Sequence, residues 1–121
     1  MKAFYFLFIL IISFLTYSCG GKKKSLEKLH PNTITTSTHD FKPSELNCSI
    51  GDSVFFILGT SHDMIEVSEM NFYKNTPYPI KDGFNLGFGK SSFFVPKEIK
   101  SHYFVCATHL PKMKLIINVI N

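Results

Sequence analysis

The sequence predicts an all-β domain, a two-sheet sandwich of about seven or eight strands packed into roughly 90 residues. Three observations carry that expectation. Apolar runs of strand length, rich in Ile, Val, Phe and Thr, alternate with Gly, Pro and Asp turns through residues 33–121. No stretch in that range carries an apolar stripe at helical spacing over a useful length. The chain has 121 residues, is 45% hydrophobic and contains 13 Phe and no Trp, which is enough for one modest domain with its own core.

Taken in order, residues 33–38 (TITTST) are β-branched and strand-forming. After Phe41-Lys42-Pro43 comes the run 46–50, where alternation puts Leu46, Cys48 and Ile50 on one face. Gly51-Asp52 is a turn. Residues 53–58 (SVFFIL) form a strongly apolar strand with Val54, Phe56 and Leu58 on one side. Residues 64–67 (MIEV) form another, of uncertain parity, because Met64 and Ile65 are both apolar and either could face the core. The stretch 71–89 carries Pro77, Pro79 and three of the seven glycines, and reads as irregular or a flap. Runs at 92–95, 103–106 and 114–120 complete the strands.

The N-terminus is organised differently. Met1-Lys2 precede an unbroken apolar run over residues 3–15, the proportions of a secretory signal. A membrane-spanning helix would need roughly 20 apolar residues. The following TYSCGG, with small residues flanking Cys19, resembles the lipobox of bacterial lipoproteins. That resemblance implies a lipoprotein signal peptide over residues 1–18, acylation of Cys19, a lipidated tether over 19–32 and a domain over 33–121. The protein would then be exported and lipid-anchored at the periplasmic or outer membrane surface of a bacterium. The other reading is an ordinary cleaved signal and a soluble secreted protein. A dozen polar, glycine-led residues give the tether an r.m.s. reach of ~20 Å, so an anchored domain would work close to a membrane.

Loss of residues 1–18 removes Lys2 and leaves 12 Lys against nine acids, with no Arg anywhere. Lys22, Lys23 and Lys24 lie in the tether, where they could face anionic headgroups or simply be solvated. The domain lysines are scattered, which argues against a nucleic-acid partner.

Chemistry concentrates in YFVCATHLPKM, which brings Cys106, His109 and Met113 together between two apolar runs. A soft thiolate, an imidazole and a thioether suit a mononuclear copper better than zinc, calcium or magnesium. Cys48 and Cys106 could pair, but the context of Cys48 is that of a small buried hydrophobe. Cys106 lies beside a histidine, where a metal could stabilise its thiolate.

With these residues in view the chain resembles the cupredoxins, closest to the plastocyanin branch with some phytocyanin character. FKPSELNCSIGDSVFF resembles the plastocyanin pattern of F-x-P followed by two strands across a G-D turn. His62 in SHDMIEV resembles the upstream ligand histidine at the head of a strand, and YFVCATHLPKMKLIINV resembles the C-terminal ligand loop and last strand. The resemblance implies a Greek-key β-sandwich holding one type 1 copper ion, with His62, Cys106 and His109 in a trigonal plane and Met113 as a long axial contact. Two departures stand out. Three residues separate His109 from Met113, one fewer than in plastocyanins, and Asp63 stands where plastocyanins usually carry an Asn that ties the two ligand loops. His30, His39 and His102 match no ligand position.

The function so implied is a blue-copper carrier of single electrons, not an enzyme, since four protein ligands leave no open position for substrate. Redox proteins would dock transiently near His109, and the protein would be a monomer. The rival readings are a copper-binding or copper-delivery lipoprotein, and a structural β-sandwich in which His62, Cys106 and His109 do not converge.

Overall fold

The computed structural model describes residues 28–121. The expected signal peptide over residues 1–18, the acylation site Cys19 and most of the tether lie outside the described residues.

Among the described residues nine strands form: β1 (Thr33–Thr36), β2 (Phe41–Lys42), β3 (Glu45–Cys48), β4 (Val54–Ile57), β5 (Met64–Val67), β6 (Asn85–Leu86), β7 (Ser91–Phe94), β8 (Ser101–Val105) and β9 (Lys114–Val119). The count exceeds the seven or eight expected because β2 and β6 are two residues long, too short to leave a periodic signal. A four-stranded sheet in the order β2-β1-β4-β7 packs on a five-stranded sheet in the order β3-β9-β8-β5-β6. The neighbours β1 and β4, and β3 and β9, run parallel, so the chain crosses between sheets rather than meandering within one.

The inner faces supply the core. Ile34, Phe41, Val54 and Phe56 come from one sheet and Met64, Phe104, Leu115 and Ile117 from the other, all fully or almost fully buried. Each such side chain contributes roughly 1.5–3 kcal/mol relative to exposure. Alternation holds along β4, where Val54, Phe56 and, just beyond it, Leu58 are buried. It fails at Ile50, which is exposed: β3 ends at Cys48, and a turn closed by Asp52 N–H donating to the Ser49 carbonyl at 3.1 Å carries Ile50 outward. Cys48 and Cys106 are both free and buried.

A short helix, α1 (Glu69–Tyr73), lies within a region with no helical signal in the sequence, because five residues cannot show a period. Ser68 caps it, its hydroxyl accepting from the Asn71 N–H at 3.1 Å. Phe72 packs from α1 onto Val67 and Val105, covering the outside of the five-stranded sheet. This resolves the parity of β5: Met64 and Glu66 face the sandwich interior, while Ile65 and Val67 lie under the helix. The rest of 71–89 is largely irregular, as expected, but tied down: Ile80 N–H donates to the Glu66 carbonyl at 3.0 Å, and Glu66 N–H to that of Phe84 at 3.2 Å.

Candidate metal centre

Three chain segments meet at one end of the sandwich. β4 leads through Gly59 to His62, at the head of β5. The turn is fixed by His62 N–H donating to the Gly59 carbonyl at 3.0 Å and by Gly59 N–H donating to Thr36 Oγ1 at 2.8 Å. A Cβ on Gly59 would stand 3.2 Å from His62 Cδ2 and 3.1 Å from Thr36 Oγ1, so glycine is what lets the imidazole lie against the backbone. Neither Thr36 nor Gly59 carries a sequence signal for this role.

β8 ends at Val105; Cys106, which follows it, is fully buried, and a single 3-10 turn over Ala107–His109 comes next. Cys106 N–H donates to the Met113 carbonyl and Met113 N–H to that of His109, both at 3.1 Å, so the loop closes on itself despite its short step from His109 to Met113. Met113 is fully buried in the same core cluster as Cys106.

The side chains converge. His62 Nδ1 and His109 Nδ1 lie 3.2 Å apart, and Cys106 Sγ lies 3.4 Å from His109 Nδ1 and 4.0 Å from His62 Nδ1. A point equidistant from these atoms is about 2.1 Å from each, within the ~2.0–2.3 Å of first-row metal bonds to nitrogen and sulfur. Among the described residues this is the one group of three such side chains within 4.8 Å of each other. Two imidazoles and a thiolate, with a thioether packed in the same cluster, fit one type 1 copper ion.

Burial pushes the Cys106 thiol above its ordinary range, and the Asp63 carboxylate adds to the shift. A cation held there would displace the thiol proton, so metal uptake would release a proton. Asp63 makes the tie between the loops, accepting from the Ala107 N–H at 3.0 Å through Oδ1. An Asp thus does what the Asn of the plastocyanin pattern does, because one side-chain oxygen suffices.

No protein-family model and no curated protein matches this chain. Solved structures do. Pseudoazurin from Hyphomicrobium denitrificans superposes with a TM-score of 0.57 at 19% identity, covering 72% of this chain and 73% of that one. Pseudoazurin from Methylobacterium extorquens gives 0.57 at 17%, covering 74% of each. This chain has the cupredoxin fold. A copper-containing nitrite reductase from Thermus scotoductus also matches, at 0.53 and 20%, over 74% of this chain but only 22% of that larger protein, so the cupredoxin fold serves in an enzyme as well.

Within this fold the remaining histidines are used differently. His39, exposed on the β1–β2 turn, sets its ring edge-on to His109 with centroids 5.1 Å apart, a contact between residues 70 apart in sequence that no local pattern announces. His102 and Glu66 form a buried pair inside the sandwich, His102 Nδ1 lying 2.7 Å from Glu66 Oε1. Glu66 Oε2 also accepts from the Phe84 N–H at 2.7 Å. Burial alone would raise the Glu66 carboxyl, but the His102 and Phe84 bonds and the charges of His102 and Lys100 outweigh it and hold the group below its ordinary value.

Proposed function

We propose that this protein is a membrane-tethered blue-copper electron carrier, in which His62, Cys106, His109 and Met113 would hold the copper ion. The observation that carries the reading is the convergence of His62 Nδ1, His109 Nδ1 and Cys106 Sγ around a point at metal-bonding distance from all three. Copper bound there supplies a Cu(II)/Cu(I) couple, one electron at a time. The sulfurs of Cys106 and Met113 suit the reduced ion and the two imidazoles the oxidised one. Closure of the loop between Cys106 and Met113, and the Asp63 bond to Ala107, hold the donors in one arrangement for both states.

His109 is the ligand nearest solvent, half-buried and flanked by exposed Pro111, Lys112 and His39. A redox partner docking transiently there would come within short range of the metal through a single imidazole. Complete burial of Cys106 and Met113 favours a carrier over a copper-delivery protein, which needs donors that an acceptor can reach. A structural sandwich without redox role would not gather three donors within 4.8 Å. Export accords with the cupredoxin fold, and acylation at Cys19 with a working position close to a membrane. We take the protein to act as a monomer without nucleic-acid partners.

The test is addition of Cu(II) to the purified protein. Wild type is expected to develop intense visible thiolate-to-copper absorption, and Cys106→Ser none. A colourless wild type, or an equally coloured variant, refutes the site. Reversible one-electron cycling without loss of copper then separates the carrier from a delivery protein.

A further inference from the structure

We propose that the outer face of the four-stranded sheet, around Phe55, Ile57 and Phe93, rests on the lipid bilayer to which the chain is tethered, an inference that depends on the anchoring at Cys19 proposed above. Phe93 is 58% exposed, Ile57 43% and Leu29 55%, an unusual grouping of large apolar side chains at one place on a small domain. Phe55 and Phe93 are cross-strand partners in β4 and β7, with ring centroids 6.4 Å apart. Together with Lys28, Leu29 and His30 they line an open groove of about 470 Å³ that has no carboxylate on its walls.

Where the chain enters the domain identifies the occupant. His30 sets its ring edge-on to Phe55, with centroids 5.0 Å apart, and its Nδ1 accepts from the Asn32 N–H at 3.2 Å. The first described residues, Lys28 to His30, thereby lie on this face. Only eight residues separate Cys19 from Lys28, an r.m.s. reach of roughly 17 Å, so an acylated Cys19 brings this face to the membrane at high effective concentration. Three of those eight are Lys22, Lys23 and Lys24, and Lys28 lines the groove itself. An apolar groove with Lys28 and no carboxylate on its walls, reached by a segment whose sequence holds three more lysines, matches an anionic lipid interface. With the sheet lying on the bilayer its strands run along the surface. The metal centre sits at the strand ends, so His109 faces sideways, open to partners held in the same membrane.

The chain has no Trp, so Phe93→Trp introduces a single fluorophore on this face. Tyr78→Trp provides the control: Tyr78 is 70% exposed and precedes Pro79, which bridges to β5 of the opposite sheet. Each acylated full-length variant is reconstituted in phosphatidylethanolamine/phosphatidylglycerol vesicles, with and without bromine on the acyl chains. The Phe93→Trp emission is expected to shift to the blue and to lose most of its intensity in brominated lipid, while the Tyr78→Trp emission is unchanged. Ile57→Trp is expected to behave like Phe93→Trp and serves if that variant folds poorly. Equal quenching at both faces, or none at either, overturns the docking. Detergent phase separation of the same preparations reads the anchor independently. Protein in the detergent phase with unquenched Phe93→Trp overturns the docking alone, whereas protein in the aqueous phase overturns the anchoring and the docking with it.

Discussion

Removal of the Asp63 carboxylate should loosen the metal centre without touching a ligand. Asp63 Oδ1 accepts from the Ala107 N–H at 3.0 Å and joins the segment that carries His62 to the loop that carries Cys106 and His109. In Asp63→Ala the Ala107 donor loses its partner. A hydrogen bond to a charged acceptor is worth about 1.5–3 kcal/mol, and discounting for the partial exposure of Asp63 gives about 1–2 kcal/mol. For a domain of this size that corresponds to a fall in Tm of roughly 5–15 °C. Asp63→Asn keeps a carbonyl oxygen in the same place, so most of the loss should be recovered. It also removes a negative charge that helps push the Cys106 thiol up. Thermal unfolding of the metal-free protein reads the stability, and copper titration followed by visible absorption reads the site. An Asp63→Ala variant as stable as wild type, or an Asp63→Asn variant as damaged as Asp63→Ala, would refute the tie.

Met113 separates packing from coordination: Met113→Leu conserves volume and should cost under about 1.5 kcal/mol, whereas Met113→Ala should cost about 2–5 kcal/mol in this fully buried position. If the thioether is a copper ligand, Met113→Leu should also shift the reduction potential of the copper-loaded protein, and an unchanged potential in voltammetry would remove Met113 from the ligand set. The Glu66–His102 pair should give the fold an acid limit. Because the folded-state Glu66 carboxyl is held below its ordinary value of 4.5, its contribution is complete above that value and is lost as pH falls through the depressed one. Glu66→Gln should flatten this part of the stability profile in denaturant titrations at pH 3–6, and His102→Ala, which strands a buried carboxylate, should cost about 3–5 kcal/mol near neutral pH.

Much of the fold was legible because side-chain alternation is a local property. Val54, Phe56 and Leu58 read as one buried face, and they are one. Ile50 read the same way and is exposed, because alternation says which residues share a face but not where the strand stops, and β3 stops at Cys48. Helix α1 and the two-residue strands were illegible for the complementary reason, being shorter than the period that would reveal them. The covering of β5 by Phe72 was equally out of reach, since a Met-Ile pair looks the same whether one face or both are buried.

At the site, Cys106, His109 and Met113 lie close together along the chain, so their chemistry could be read directly, and resemblance added His62. The donor types, the order in which they occur and a strand-rich chain able to hold them can all be read along the chain. It takes the folded chain to show that His62 and His109, 47 residues apart, present their Nδ1 atoms to each other and to a buried sulfur. Folding likewise decided that Asp63 reaches Ala107, that His39 lies against His109 and that Glu66 finds His102. Register does this: pairing Ile65 with Val105 aligns the start of β5 with the end of β8 and so sets the gap between the two loops. That alignment depends on packing across the whole sheet, which no single run of residues contains.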